Sequence, residues 1–80
     1  MYHTYVLYSE RFNKIYVGYS SDPIKRLAIH NSAENTGWTS RYQPWKIIYQ
    51  EEFETKTEAL KRERQLKTSR GRSFIRGLLQ

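Results

Sequence analysis

Four side chains in this 80-residue chain combine reactive types with suggestive spacing: Tyr5, Tyr16, Arg26 and Glu63. The phenols offer hydrogen-bonding oxygens, but a free tyrosine titrates near pH ~10 and becomes a base only where a cation favours the phenolate. Glu63 follows Ala59 by four positions and Leu60 by three, and precedes Leu66 by three. That spacing sets a carboxylate on or beside the apolar stripe of an otherwise basic helix. A half-buried carboxylate is costly unless paired, so Glu63 either makes an internal salt bridge to a lysine or arginine or coordinates a cation. Magnesium commonly takes one or two protein carboxylates and completes its shell with water and phosphate oxygens, so a lone glutamate is compatible with that ion. Arg26 and His30 are four apart on one helix, hence neighbours on a different face from its apolar stripe, and are placed to act together.

The elements that must position these groups can be read from local pattern. Tyr2 to Tyr8 and Lys14 to Tyr19 are rich in tyrosine, valine and threonine and suit pleated strands, with Ser9 to Asn13 as a hairpin loop. A period of two puts His3, Tyr5 and Leu7 on one side of the first strand and Lys14, Tyr16 and Gly18 on one side of the second, so the two tyrosines can share a face. Asp22-Pro23 supplies an N-cap and a first-turn proline for a helix to about Asn31, with Ile24, Leu27 and Ala28 as its inner stripe. Residues 32 to 44 read as a loop long enough to be a functional surface or locally mobile, carrying Trp38, Arg41 and Tyr42. Trp45 to Phe53 reads as a third strand, starting after Pro44. Thr55 with Glu58 forms a capping-box pattern for a helix to about Thr68. Gly71 is expected to break the chain before a short closing helix bearing Phe74, Ile75, Leu78 and Leu79.

Eighty residues bound the chain to one domain, residues 1–80, with one compact core. With no cysteine, disulfides and thiolate zinc sites are excluded, and no apolar run approaches the roughly 20 residues of a membrane span. A cytoplasmic protein with no membrane partner is expected. Twelve aromatics, seven of them tyrosine, imply a core in which some rings keep a wet edge. The net charge of +6 points to a polyanionic partner. Between Lys56 and Arg76 eight basic residues face only Glu58 and Glu63, which accounts for the whole excess. The alternative is a solvated helix face.

Tyr5-Val6-Leu7, Tyr16-Val17-Gly18 and the run Asp22 to Asn31 resemble the amino-terminal half of the GIY-YIG nuclease superfamily. Glu58 to Lys67 resembles the second-helix signature of its small stand-alone bacterial members, which are related to the amino-terminal nuclease domain of the excision-repair endonuclease. The specific element is the ordered combination: Tyr16 eleven after Tyr5, Arg26 ten further on, His30 four after that, and a later glutamate. His3-Thr4 stands where other members have glycine and isoleucine, and Tyr19 where some carry a lysine near the phosphate. The asparagine that larger members carry after the glutamate helix has no clear match here.

The resemblance implies an α+β fold: a three-stranded antiparallel sheet flanked by helices, in the order β-β-α-β-α-α, with the active site on one sheet face. It implies a metal-dependent endonuclease acting on DNA, with Tyr5, Tyr16, Arg26, His30 and Glu63 as catalytic residues. One tyrosine, Tyr16 by preference, orients or deprotonates the attacking water while the other supports the site. Glu63 would hold Mg2+ or Mn2+ on the scissile phosphate, and Arg26 would face the phosphate's other side. His30 either shares that phosphate, assists proton transfer, or simply caps its own helix. Lys14, Lys25, Arg62, Lys67, Arg70 and Arg72 are the expected nucleic-acid contacts, and the basic residue that Tyr19 displaces either comes from Lys14 or Lys25 or is missing. So small a chain has no room for a DNA-reading domain, which implies weak or structure-directed recognition of branched or single-stranded DNA, or targeting by a partner protein. Trp38, Arg41 and Tyr42 either stack on exposed bases or anchor their loop. The alternative is a binding module that keeps the fold without cutting.

Overall fold

The computed structural model describes all 80 residues, Met1–Gln80. Three strands, β1 (Tyr2–Ser9), β2 (Lys14–Ser20) and β3 (Lys46–Phe53), form one antiparallel sheet in the order β2-β1-β3. With the helices α1 (Pro23–His30), α2 (Lys56–Leu66) and α3 (Ser69–Leu78), the order is β-β-α-β-α-α and the fold is α+β, as expected. The central strand is covered on both faces, and its alternation divides the interior in two. Tyr5 and Leu7 pack with Trp45 on one face, joined by Tyr16, Leu27, Tyr42 and Ile47. Val6 packs with Val17, Leu66 and Ile75 on the other, joined by Ile15, Ile48 and Tyr49. One sheet thus separates two small cores: α1 and a 3-10 turn (Trp38–Tyr42) cover the first, and α2 and α3 cover the second. The consecutive residues Ile48 and Tyr49 both serve the second core because the β1–β3 register shifts between Val6 and Leu7, a bulge that re-aims side chains.

Local signals place the starts of α1 and α2 correctly. Asp22 accepts a hydrogen bond from the Lys25 amide ahead of Pro23, and Thr55 with Glu58 makes the complete reciprocal capping box. Three details differ from expectation. The inner line of α1 is Pro23 and His30, both buried, with half-buried Leu27 between them, so His30 lies on the inward face and not with exposed Arg26 on another one, while Ile24 is 68% exposed and Ala28 also faces out. A helix of only eight residues has its rotation set by what grips its ends, here the Asp22 cap and Asn31, whose side chain pairs with both the amide and carbonyl of Trp45. Second, α2 ends at Leu66, because Thr68 caps α3 instead, its hydroxyl accepting from the Gly71 amide. Third, Gly71 lies inside α3 and breaks nothing. A Cβ there would come within 2.3 Å of the Gln65 carbonyl oxygen and 2.4 Å of the Leu66 Cα, so the absence of a side chain is what lets α3 fold back against the end of α2.

The segment between α1 and β3 is braced by polar side chains. Asn35 donates to the His30 carbonyl, and Gln43 donates to the carbonyls of His30 and Ser32. No helix is long and apolar enough to cross a membrane.

Candidate active site

Strand register brings the two tyrosines together. Tyr5 lies opposite Gly18 and Leu7 opposite Tyr16, so both phenols project from one face, with ring centroids 6.4 Å apart. The Tyr5 ring lies across Gly18, where an added Cβ would meet its phenol oxygen at 2.7 Å. Because β2 is an edge strand, this carries the Tyr5 oxygen from the centre of the sheet to its margin. Tyr5 is 1% exposed, and burial raises its phenol above the ordinary value. Arg26 pulls the other way, while the neighbouring Tyr16 and the Glu63 carboxylate add to the rise. Tyr5 is therefore held as a neutral phenol. Tyr16 is half-buried, its ring 4.7 Å from that of His30, and its hydroxyl has no partner within the chain and reaches solvent.

His30 is buried at the end of α1 and connects the loop to the phenols. Its Nε2 lies 3.3 Å from the Tyr5 hydroxyl and its Nδ1 lies 2.9 Å from the Thr39 hydroxyl. Asn35 donates its amide to that same Thr39 oxygen at 2.8 Å. Burial, then the charge of Arg26, lowers the His30 pKa, which keeps the ring neutral. His30 thus does not cap its own helix; it is a strut between Thr39 and Tyr5. Arg26, on the exposed side of α1, makes no ion pair, yet its charge acts on both Tyr5 and His30.

Glu63 arrives from the other layer. α2 packs on the Val6–Val17 face through Leu66, but the Glu63 carboxylate is near enough to Tyr5 to act on its phenol. The site is therefore not confined to one sheet face: phenols, imidazole and guanidinium come from one side, the carboxylate from the other, and they meet at the margin formed by β2. Thr4 sets the height of α2 there, its buried hydroxyl donating to the Ala59 carbonyl at 2.7 Å. The Glu63 side chain is 15% exposed and pairs with Lys67 at 3.2 Å. The salt bridge considered as one explanation of this carboxylate is thus present, and it lies beside the tyrosines rather than away from them. No three of the His, Cys, Asp and Glu side chains converge. A single carboxylate does not suit a structural zinc, which needs four protein ligands, but it fits a hard ion that keeps water and gains phosphate oxygens.

A cavity of about 270 Å³ opens along this margin, lined by Tyr16 and Trp38 from one layer and Ile15, Val17, Lys67 and Arg72 from the other. Of the expected nucleic-acid contacts, Lys67 and Arg72 therefore stand at the site. Lys14 is exposed with its ammonium 5.4 Å from the Tyr42 ring centroid, and Lys25 is exposed on α1. Arg62 and Arg70 lie elsewhere, beside a larger cavity of about 460 Å³ between α2 and α3 that contains none of the tyrosine cluster. Arg62 donates to Glu51 at 2.7 Å, and Glu51 in turn accepts from Tyr49. Burial alone would raise the Glu51 carboxyl, but those two hydrogen bonds and the Arg62 charge bring it below the usual range. Arg62 is thus held in a partly buried network, whereas Arg70 is exposed.

Residue-level reading misses Thr4, Gly18, Asn35, Thr39 and Trp45 as supports. The Trp45 indole donates to the Thr39 carbonyl at 2.8 Å, so the residue just ahead of β3 holds the one that sets His30. Only Gly18 carries a signal, a glycine within a strand pattern, which marks close approach of another group.

Comparison with known proteins identifies the family. A family pattern described as the GIY-YIG catalytic domain matches residues 1–75. A UPF0213 protein of Staphylococcus saprophyticus is 44% identical over 54 residues, which are 68% of this chain and 66%, just under two thirds, of that relative. A UPF0213 protein of Staphylococcus haemolyticus is 38% identical over 56 residues, 70% of this chain and 68% of the relative. One of Staphylococcus aureus is 43% identical over 54 residues, covering 68% of this chain and 66% of the relative. No solved structure matches the chain. A pattern that spans nearly the full length, and relatives of this similarity, establish that the chain belongs to the GIY-YIG family.

Proposed function

We propose that the chain is a metal-dependent endonuclease that hydrolyses phosphodiester bonds in DNA. The observation that carries this reading is the convergence of two phenols, an unpaired guanidinium and a carboxylate at the β2 margin, beside a solvent-reachable cavity bearing two more cations. Membership of a nuclease family supports the class of reaction. Tyr16, whose hydroxyl is free and wet, orients the attacking water. Tyr5, neutral and tied to His30, holds its place as a hydrogen-bonding group rather than a base. Arg26 faces the phosphate and offsets the charge that develops as the bond to the leaving oxygen breaks; removal of a comparable donor typically costs roughly 100–1000-fold in rate. Glu63 would hold the divalent ion, magnesium or manganese, that nucleases of this family generally use. When bound, such an ion supplies Lewis-acid stabilisation of the phosphate and leaving oxygen. Lys67 would then leave Glu63 and join Arg72 on the nucleic acid.

The pairing of Glu63 with Lys67 also favours a second reading, a binding module of the same fold in which the carboxylate is already satisfied. Incubation of the protein with plasmid, single-stranded, branched and RNA substrates, in magnesium, manganese or chelator, separates the two. The nuclease reading expects cleavage that needs the ion and is reduced at least 100-fold by Arg26→Ala and abolished by Glu63→Ala, with Tyr16→Phe slowed. Binding without cleavage on every substrate would establish the second reading. Equal cleavage by all four proteins would expose a contaminant.

A further inference from the structure

We infer that the cavity between Tyr16 and Trp38 is a subsite for one unpaired nucleotide of a single strand, its base stacked on Trp38 and its phosphate held by Arg72 and Lys67. This rests on the phosphodiester reading of the neighbouring site and adds to it the form of the strand that is recognised. Two tryptophans sit side by side with ring centroids 6.0 Å apart, and they are used differently. Trp45 is 3% exposed and anchors the loop through its indole hydrogen bond, whereas Trp38 is 49% exposed and makes no side-chain hydrogen bond. A ring that served only to fasten the loop would be buried as Trp45 is. Trp38 instead lends one side to Tyr42, at 4.8 Å, and lines the cavity.

The ring belongs to a series that leads to the tyrosine site. Phe12 stands edge-on to Tyr42 at 5.5 Å, Tyr42 meets Trp38, Trp38 meets Trp45, and Trp45 lies 6.4 Å from Tyr16. Cations flank the series: Arg11 lies 5.3 Å from the Phe12 ring centroid and Lys14 lies 5.4 Å from that of Tyr42. No carboxylate lines the cavity. Exposed aromatic faces beside a basic track are what bind single strands, because an unpaired base has a free face to stack whereas both faces of a base within a duplex are occupied by its neighbours.

The test is equilibrium binding in chelator, where no turnover occurs, of a labelled oligothymidylate and of a blunt-ended two-strand duplex with the same number of phosphates. The wild-type protein is expected to prefer the single strand and to show quenched tryptophan fluorescence on binding it. Trp38→Ala is expected to weaken the single strand by roughly 5- to 150-fold, the loss of one base stack, and to change duplex affinity less than about twofold. Trp38→Phe, which keeps a stacking face, is expected to restore most of the loss. Arg72→Ala is expected to reduce the salt slope of single-strand binding by about 0.7, one phosphate contact. Equal loss on both ligands, or none, overturns the subsite; should Trp38→Ala misfold by circular dichroism, an unaltered salt slope in Arg72→Ala overturns it. Failure of the nuclease reading shows differently, as absence of ion-dependent cleavage while the strand preference in chelator persists.

Discussion

Gly18→Ala tests whether the path of Tyr5 to the sheet margin depends on a missing side chain. The new methyl carbon would lie 2.7 Å from the Tyr5 oxygen, 2.9 Å from its Cζ and 3.0 Å from the Tyr16 Cε2. To restore an ordinary contact of 3.4 Å the phenol oxygen must retreat by about 0.7 Å. It cannot do so freely, because the ring is buried and its oxygen is bonded to His30 at 3.3 Å. Overpacking of this kind costs about 1–3 kcal/mol, while replacing glycine returns about 0.4–1 kcal/mol by restricting the unfolded chain. The net loss lies between about 0 and 2.6 kcal/mol, and its midpoint, about 1.3 kcal/mol, for a domain of this size lowers Tm by roughly 5–10 °C. Thermal unfolding followed by circular dichroism measures it, with Tyr5→Phe and the double variant completing the cycle. Removing the oxygen removes the closest contact, so Gly18→Ala should cost less in the Tyr5→Phe background. A Gly18→Ala protein more stable than wild type, or a penalty unchanged by loss of the phenol, would refute the argument that Gly18 makes room for Tyr5.

Two glycines of α3 should respond oppositely to alanine in urea unfolding. Gly77→Ala, with open space around it, should gain up to about 0.5–1 kcal/mol, whereas Gly71→Ala should cost about 1–3 kcal/mol or more, since the colliding atoms are backbone and cannot rotate away. The lowered pKa of His30 fixes the sign of a pH effect. As pH falls through the ordinary histidine value of about 6.5, the unfolded chain takes up a proton that the folded chain refuses, so stability declines from there down to the folded pKa and then levels. Titration of Tm should show this decline in wild type and a smaller one in His30→Gln; a decline of the same size in both would assign it to other groups. Lys67→Met removes the cation that competes for Glu63, so manganese binding, followed by the electron paramagnetic resonance of the free ion, should tighten relative to wild type and be lost in Glu63→Ala. Equal affinities in all three proteins would place the ion elsewhere.

Most of what is legible in the sequence is local. A period of two and a short hairpin put Tyr5 and Tyr16 on one face, and the Asp22 and Thr55 caps start their helices where the residue types say they should. The rest depends on contacts between residues far apart in the chain. The rotation of α1 is hidden because Ile24 and Ala28 offer a plausible apolar stripe, while Pro23, Leu27 and His30 are what turn inward. Gly71 reads as a breaker because its partner, the backbone of Gln65 and Leu66, is recognisable only once two helices are packed. Arg62 looks like one more free cation of a basic helix until β3 brings Glu51 to it. The Asn35–Thr39–His30 chain sits among polar loop residues that carry no periodic signal at all.

The division into two cores decides how the site can be damaged. The Tyr5, Leu7 and Trp45 cluster fixes the phenols and, through Thr39, the imidazole; the Val6, Val17, Leu66 and Ile75 cluster fixes the helix that carries Glu63. The two share β1 and β2, whose ladder runs unbroken from His3 paired with Ser20 to Ser9 paired with Lys14. The distance between carboxylate and phenol is therefore held by a stiff ladder and by one cross-layer hydrogen bond, Thr4 to Ala59, rather than by a loop. A side chain lost from the second core would move Glu63 without moving the tyrosines, and one lost from the first would do the reverse. On the proposed reading, ion affinity and strand stacking would then be separable, although both would be built within a few residues of one sheet edge.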